Sequence, residues 1–323
     1  FFLGGEPLLR WSVLKASILH GRKSSPSLQY QVYTNGLGLT PSRLRFLSEH
    51  RVDVILSQDG EKGTNDRNRV LHGQAGSTFD RVMKKTNRLP KDRLGVNLVF
   101  TAATVDKLIS NIDFFQRQGF RRISFTPAFN ESWSGPRLKI LGRVMVEFVR
   151  YYDELFRAEG QAFEILNLYA LLRQAQQEPS HYWWRQCQNL VLGGDGHFYS
   201  CDKALSFAFD KTKRNEIGSL EIGVDWEKRD AFFQEAQGFI AGNATDPNSY
   251  TACPMGIFLT QKMLGVDPAP ALANFEAISR AYGRPLLELA RDLWEHPYFR
   301  QLHHITESLS VPLDRQPEKV SLP

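Results

Sequence analysis

The sequence predicts an α/β protein, with a parallel sheet of repeated βαβ units in its first part and a small α+β domain in its second. Two observations lead to this fold class. Short apolar runs alternate with amphipathic stretches from Phe1 to Phe125, which is typical of right-handed βαβ units around a parallel sheet. The segment from His181 to Ile222 is instead rich in glycine and has short alternating runs, which indicate a hairpin-bearing domain.

The predicted elements follow one another at regular spacing. Pro7 and Pro41 each stand at the start of a helix, where the missing N–H of proline costs nothing. We predict strands at 1–3, 28–33, 52–56, 94–100 and 122–125, and helices at 7–20, 42–50, 77–87, 105–118, 138–158, 163–177 and 270–294. The predicted domains are a barrel at 1–178, a small domain at 179–265, and a C-terminal helical segment with a tail at 266–323.

Composition excludes several classes of protein. The 323 residues are 42% hydrophobic and 23% charged, as in an ordinary globular protein. The formal charge is +5, but the basic residues are scattered, so we expect no nucleic-acid partner. No apolar stretch approaches the roughly 20 residues that span a bilayer, and the apolar start lacks the basic flank of a signal peptide. We therefore predict a cytoplasmic protein without a membrane partner.

The segment Gly4-Gly5-Glu6-Pro7 lies where a strand ends and a helix begins. Two glycines allow a ligand to approach the bare backbone, whose carbonyls can accept hydrogen bonds from an ammonium group. A glutamate beside them adds negative charge where a cation would bind. The alternative is an ordinary strand-to-helix turn.

Two more strand ends carry small or polar residues. Thr34-Asn35-Gly36 ends the second predicted strand, and Ser57-Gln58-Asp59-Gly60 ends the third. Because the carboxyl ends of parallel strands share one face of a barrel, these three segments predict a ligand site on that face.

These segments resemble the radical S-adenosylmethionine (SAM) superfamily, and within it the peptide- and protein-modifying enzymes that carry a SPASM or twitch domain. The resemblance is carried by FFLGGEPLL, YTNG, LSQDGEKGTNDRNR and GSTFDRVMKK, in the family's order, and extends to about Ile222. It implies a partial (β/α)6 radical SAM barrel that lacks its first strand and cluster loop, and it implies SAM as cofactor. The residues implied to bind SAM are Gly4, Gly5, Glu6, Pro7, Thr34, Asn35, Ser57, Asp59 and Arg69. Asp59, Asp66 and Arg69 could equally hold their own loop together.

The family's defining C-x3-C-x2-C loop, which binds the four-iron cluster that reduces SAM, does not occur in these 323 residues. The chain has no initiator Met and opens on a predicted strand. We therefore expect the loop to lie upstream of Phe1, and we expect this polypeptide alone to bind SAM weakly and to cleave none.

The second domain contains three cysteines, Cys187, Cys201 and Cys253, too few and too widely spaced for a disulfide framework. Cys187 and Cys201 flank Asp195-Gly196, which resembles the start of a SPASM or twitch domain. The resemblance implies that the three cysteines bind one auxiliary four-iron cluster, and that Asp202 is a catalytic base. Alternatively, the cysteines are small buried hydrophobic residues.

The function implied by the resemblance is radical SAM chemistry on a peptide or protein side chain, as in the maturation of ribosomal peptides or, less favoured, of sulfatases. The implied partners are the peptide or protein substrate and an electron donor such as a flavodoxin or ferredoxin. One alternative is a relative without clusters that only binds peptides. Another is an unrelated α/β enzyme with a three-cysteine zinc site, which leaves the GGEP segment unexplained.

Overall fold

The computed structural model describes two compact units. The described residues are 1–71, 73, 76–86, 91, 93–158, 161–168, 189–207, 215–245, 253–294 and 296–303. The first unit consists of 1–131, 139–169 and 294–305, and the second of 132–138, 170–293 and 306–323. The three domains predicted from the sequence stay a prediction.

A parallel five-stranded sheet forms the centre of the first unit, with its strands in sequence order. The strands are β1 (Tyr30–Thr34), β2 (Val52–Ser57), β3 (Leu94–Phe100), β4 (Arg122–Pro127) and β5 (Glu164–Ile165). Beyond β1 the sheet continues with Phe2, whose N–H donates to the Gln31 carbonyl (2.8 Å) and whose carbonyl accepts from the Tyr33 N–H (3.0 Å). The predicted parallel α/β sheet is confirmed, and the strand predicted at 1–3 is a single bridged residue.

Helices connect the strands of the first unit. A 3-10 helix (Pro7–Arg10) precedes the first α-helix, and another (Val105–Lys107) precedes the fifth. The α-helices are α1 (Trp11–Ser24), α2 (Pro41–Glu49), α3 (Lys62–Asn68), α4 (Thr78–Thr86), α5 (Leu108–Arg117), α6 (Gly135–Arg157) and, near the end of the chain, α10 (Pro297–Leu302). Sequence patterning missed α3, because KGTNDRN has no apolar periodicity.

Alternation along the strands separates an apolar face from a polar one. Val52, Val54 and Leu56 of β2 are buried, as are the alternate residues of β3 from Leu94 to Phe100. The residues that alternate with them include Asp53, Ser57 and Asn97, which are half-buried, and Ile55, which is fully buried. Because successive side chains of a strand point to opposite faces, one face of these two strands is apolar throughout and the other carries charged and polar groups together with Ile55.

The prediction of a helix at 163–177 is wrong at its start. Residues Glu164–Ile165 form β5, in register with Arg122 and Ile123 of β4. A strand of two residues is too short to produce a period-two pattern, so the apolar residues around it resemble a helical pattern. Residues 169–177 of the predicted helix lie outside the described residues.

The second unit contains an antiparallel sheet of β6 (Val191–Leu192), β7 (His197–Tyr199), β8 (Glu216–Ser219) and β9 (Gly223–Val224). The Asp195-Gly196 turn joins β6 to β7, and the Asp195 carboxylate accepts from the Tyr199 hydroxyl (2.6 Å) and the His197 N–H (3.2 Å). The predicted hairpin domain is confirmed.

Three helices accompany this sheet: α7 (Trp226–Asn243), α8 (Met255–Leu264) and α9 (Ala269–Leu293). Only α9 was predicted. The core of the unit includes Tyr199, Cys201, Phe232 and Phe258. In the part of the chain that the structure describes, no helix combines the length and the apolar character needed to cross a bilayer.

Candidate functional site

The GGEP segment leaves open space beside its two glycines. Gly4 has φ +121°, a conformation that side chains with a Cβ rarely adopt, and Gly5 follows it. A Cβ built on either residue would meet no atom within 4 Å. Such bare backbone next to open space is what a closely bound ligand requires.

The Glu6 carboxylate joins this segment to the end of β1. Its Oε1 accepts from the Leu8 N–H (3.1 Å) and the Thr34 hydroxyl (2.7 Å), and its Oε2 accepts from the Asn35 N–H (2.8 Å). A carboxylate has about four acceptor positions, so one remains after these three bonds. Glu6 therefore both fixes the junction of two strand ends and keeps the capacity to accept from a ligand.

The turn after β1 is held by its own side chains. Thr34 Oγ1 accepts from the Gly36 N–H (3.0 Å), and Asn35 Oδ1 accepts from the Leu37 N–H (2.9 Å). Gly36 has φ +80°. Thr34 and Asn35 thus lie at the predicted site, with their oxygens engaged in shaping the turn.

The loop after β2 is organised around Asp59, which is 3% exposed. Its Oδ1 accepts from Arg69 Nη2 (2.8 Å) and from the Val99 N–H (3.1 Å), and its own N–H donates to Asn65 Oδ1 (3.1 Å). Asp59 and Arg69 therefore form an ion pair that ties the loop to β3. This geometry favours the structural role that the sequence left open for both residues.

Two asparagines that the sequence did not single out support the same loop. Asn65 donates from Nδ2 to Thr78 Oγ1 (3.1 Å), and Asn111 Oδ1 accepts from the Glu61 N–H (3.0 Å). Asn111 lies on α5 and is 1% exposed. A single asparagine among apolar helix residues could have indicated in the sequence that it makes a buried polar contact. Strand register also places Asn97 of β3 between Ser57 and Ser124, and Asn97 interrupts the apolar run LGVNLVF.

In the second unit, Cys201 and Cys253 pack on one apolar cluster. Burial, followed by the charge of Asp202, raises the pKa of the Cys201 thiol to about 12. The thiol contacts Asp202 Oδ1 (3.5 Å), and Asp202 Oδ2 accepts from Lys203 Nζ (2.9 Å). Cys187 lies outside the described residues, and within them no three metal-ligating side chains come together.

The chain resembles known enzymes over part of its length. No family model matches the chain. It is 27% identical over 138 residues to the radical SAM cyclopropyl synthase TigE of Paramaledivibacter caminithermalis, covering 41% of this chain and 28% of that protein. It is 26% identical over 138 residues to a cysteine-type anaerobic sulfatase-maturating enzyme of Clostridium novyi, covering 40% and 36%. The match thus spans about a third of the length of these relatives.

Solved structures share the fold of nearly the whole chain. The structure of hexahistidine-tagged anSMEcpe with bound AdoMet, which is SAM, has a TM-score of 0.63 at 19% identity, covering 97% of this chain and 83% of that one. Native anSMEcpe with bound AdoMet and Cp18Cys peptide has a TM-score of 0.65 at 18% identity, covering 90% and 85%. The chain has a partial radical SAM α/β fold. Its predicted resemblance to peptide- and protein-modifying radical SAM enzymes is confirmed.

Within the radical SAM fold, the predicted residues fall into separate groups. Glu6, Thr34 and Asn35 are joined directly by hydrogen bonds, with Gly4, Gly5 and Pro7 adjacent in the chain. Ser57 ends β2, and Asp59 and Arg69 are paired in the loop that follows. Asp202 and Cys201 are neighbours in the second unit. The assignment of these residues to SAM, catalysis or a cluster stays a prediction.

Asp66 is expected to make the stability of the first unit depend on pH. Its Oδ1 accepts from the Phe79 N–H (3.0 Å) and the Thr78 hydroxyl (2.9 Å). Burial acts to raise the pKa of the carboxyl, but hydrogen bonds from Ser77, Phe79, Thr78 and Asn65 outweigh it, and the pKa lies below its ordinary value of 3.8.

The pKa of Asp66 is lower in the folded chain than in the unfolded chain. The stabilisation that Asp66 contributes is therefore fully present above the unfolded-state pKa and is lost as the pH falls through the folded-state pKa. Between about pH 5 and pH 3, we therefore expect the urea midpoint of the native chain to fall more steeply than that of Asp66→Asn. Tryptophan fluorescence measures both midpoints. Equal slopes for the two proteins would contradict the prediction.

Proposed function

We propose that this chain provides the SAM-binding barrel of a radical enzyme that modifies a side chain of a peptide or protein. The observation that carries the proposal is the junction in which Glu6 is hydrogen-bonded to Thr34 and Asn35, at the carboxyl end of β1. There Glu6 retains an acceptor position beside Gly4 and Gly5, whose Cβ positions are open. The resemblance in sequence and fold to radical SAM enzymes supports the same conclusion.

Each residue of the junction has a proposed part in binding. The carbonyls of Gly4 and Gly5 and the remaining acceptor position of Glu6 would bind the amino group of SAM, because an ammonium group needs several acceptors. Thr34, Asn35 and Pro7 hold this surface in shape, and Ser57 is proposed as a contact from β2. Asp59 and Arg69 position the Ser57 loop. Bound SAM, once reduced by an iron–sulfur cluster, would supply a 5′-deoxyadenosyl radical that abstracts a hydrogen atom from the substrate.

The second unit is proposed to act on the substrate. Asp202 would accept the proton that the substrate radical releases when its electron passes to the proposed auxiliary cluster, and Lys203 orients the Asp202 carboxylate through their ion pair (2.9 Å). Cys187, Cys201 and Cys253 are the proposed ligands of an auxiliary four-iron cluster. A flavodoxin or ferredoxin is the proposed electron donor. The whole protein is proposed to act in the cytoplasm. A ribosomal peptide is favoured over a sulfatase as its substrate.

The SAM site is tested by Gly5→Val. Gly5 has an ordinary φ and open space around its Cβ position, so a valine should fold normally and occupy the space proposed for SAM. We expect weak SAM binding by the native chain in isothermal titration calorimetry. We expect binding at least about tenfold weaker in the variant, a loss of about 1.4 kcal/mol or more.

Gly142→Ala is the matched control, since Gly142 on α6 is also open around its Cβ position but lies outside the junction. The control should bind SAM as the native chain does. Equal binding by Gly5→Val and Gly142→Ala would overturn the proposed SAM site. Radical chemistry is tested separately: the protein with any coding sequence that precedes Phe1, reconstituted with iron and sulfide and reduced, should form 5′-deoxyadenosine from SAM.

A further inference from the structure

Positive charge is concentrated on two helices of the first unit, α2 and α4. Together they carry two carboxylates, Glu49 and Asp80, and five basic side chains: Arg43, Arg45, Arg81, Lys84 and Lys85. Asp80 pairs with Lys62 on α3, so it does not balance the charge of its own helix. The basic residues are scattered along the sequence, and the fold brings these ones together.

Three of these cations, Arg43 of α2 and Arg81 and Lys85 of α4, form a basic cluster. Burial lowers the pKa of the Lys85 ammonium below its ordinary value of 10.5, and the positive charges of Arg81 and Arg43 lower it further. The three side chains are therefore close enough to repel one another. Such repulsion destabilises the folded chain, and an anion that binds the basic cluster would relieve it.

Two members of the basic cluster are hydrogen-bonded to neutral groups. Arg43 Nη1 donates to the carbonyls of Leu8 (3.1 Å) and Gly38 (2.8 Å), and Lys85 Nζ donates to the carbonyl of Leu37. No carboxylate in the described part of the chain pairs with either cation. These bonds hold Arg43 and Lys85 in place but do not cancel their charges, because carbonyl oxygens carry no net charge.

The basic cluster lies directly beside the junction that is proposed to bind SAM. Leu8, whose carbonyl bonds to Arg43, lies two residues after Glu6. The loop that bonds to Arg43 and Lys85 begins at Asn35, whose N–H donates to Glu6 Oε2 (2.8 Å). A Cβ on Gly36 of this loop would lie 2.8 Å from Cγ1 of Val82, so α4 packs directly against the loop.

The surfaces of α2 and α4 favour a transient partner over a permanent one. Over their described length, neither helix exposes a large hydrophobic side chain. A helix that binds a membrane surface needs such side chains, and permanent interfaces are rich in them. Complexes of electron-transfer proteins are instead small and weak, and opposite charges guide their association. This surface lies on the β2 side of β1, whereas Phe2 pairs with the other edge of β1.

We propose that an acidic one-electron carrier docks on α2 and α4, where Arg43, Arg81 and Lys85 bind its carboxylates. The inference rests on the proposed function, because a radical SAM enzyme takes up one electron for each SAM that it reduces. The docked carrier loses this electron to the iron–sulfur cluster that reduces SAM, and it leaves in its oxidised form. Docking beside the SAM junction keeps the path of the electron short, and the opposite charges orient the carrier.

The experiment is calorimetric titration of the full chain with a purified, oxidised flavodoxin of strongly negative net charge, at low ionic strength. We expect binding that weakens as salt is added, because salt screens the charges. The double variant Arg81→Gln/Lys85→Gln should bind about tenfold more weakly and depend less on salt. Arg43 is kept, because it anchors Leu8 and Gly38. If the double variant has a lower melting temperature, Arg81→Gln alone replaces it, and we expect binding about threefold weaker.

Lys139→Gln/Arg150→Gln is the matched control, because both residues are exposed on α6, which follows β4. It removes the same charge and should leave flavodoxin binding unchanged. Equal weakening by the two double variants would overturn the proposal, as would no binding by the native chain at low ionic strength. Duplex DNA that binds as tightly as the flavodoxin, and is weakened equally by Arg81→Gln/Lys85→Gln, would overturn it in favour of a nucleic-acid surface.

The docking surface and the SAM site are tested independently. SAM binding should be the same in Arg81→Gln/Lys85→Gln as in the native chain, since neither residue belongs to the junction. A native chain that binds the flavodoxin but not SAM would contradict the proposed SAM site and leave the docking surface in place. A native chain that binds SAM but not the flavodoxin would contradict the docking surface alone.

Discussion

Replacing Glu6 with alanine is expected to lower the free energy of unfolding by about 2 to 4 kcal/mol and to remove SAM binding. The variant loses three acceptor contacts at once, those from the Leu8 N–H, the Thr34 hydroxyl and the Asn35 N–H. The first of these caps a helix, and the other two connect the chain's first turn to the end of β1. Urea unfolding followed by fluorescence measures the stability, and calorimetry measures SAM binding.

Glu61→Ala is the matched control for Glu6→Ala. Glu61 is also a glutamate that precedes a helix after a strand, but it is exposed and its side chain makes no capping hydrogen bond. Its replacement should change the urea midpoint little, since exposed substitutions of this kind have small effects. Unfolding of Glu6→Ala and Glu61→Ala at the same urea concentration would contradict the linking role of Glu6.

Glu6 also illustrates what the sequence can and cannot predict. Its position between two glycines and a proline, at the end of a strand, was enough to mark it as a ligand contact. Its bonds to Thr34 and Asn35 join residues 28 and 29 positions apart, and only the folded sheet brings them together. The sequence thus predicts a ligand contact, which stays a prediction, but it does not indicate the role of Glu6 as a structural link.

The helices and strands also divide into those that the sequence predicts and those that it misses. Strands β1 to β4 are long enough for an apolar run or an alternating pattern, and each was predicted within a few residues. The short strand β5 and the polar helix α3 lack such a pattern. The position of β5 is set by its pairing with β4, and that of α3 by the hydrogen bonds of Asn65 with the Asp59 N–H and Thr78 Oγ1. The ion pairs of Arg122 with Asp53 and Glu164 were equally hidden, since the three residues come from three separate strands.

Asp59 and Arg69 show that a match to a family motif does not by itself assign the role of a residue. The sequence allowed either a SAM contact or a structural pair, and their distance of 2.8 Å favours the pair. Asp59 is also bonded to the Val99 N–H on β3. Such residues influence a ligand by holding the loop that contacts it, which a motif alone does not distinguish from direct contact.

Replacing Gly60 with alanine is expected to destabilise the chain by about 3 to 5 kcal/mol, because two penalties combine. Gly60 has φ +140°, which is strained for any residue with a Cβ. A Cβ at this position would also lie 2.1 Å from Cγ of Asn111, which is buried and bonded to the Glu61 N–H and so has little freedom to move. Urea unfolding measures the loss.

The two penalties can be separated with a second substitution. Asn111→Ala removes the atoms that the new Cβ would strike but leaves φ unchanged, so Gly60→Ala should cost less in the Asn111→Ala background, by about 1 to 3 kcal/mol. Gly63→Ala is the control, because Gly63 lies in α3 with open space around its Cβ position and should be slightly stabilised by alanine. If Gly60→Ala costs the same with and without Asn111, backbone strain alone explains the effect, and Asn111 does not restrain the loop through this contact.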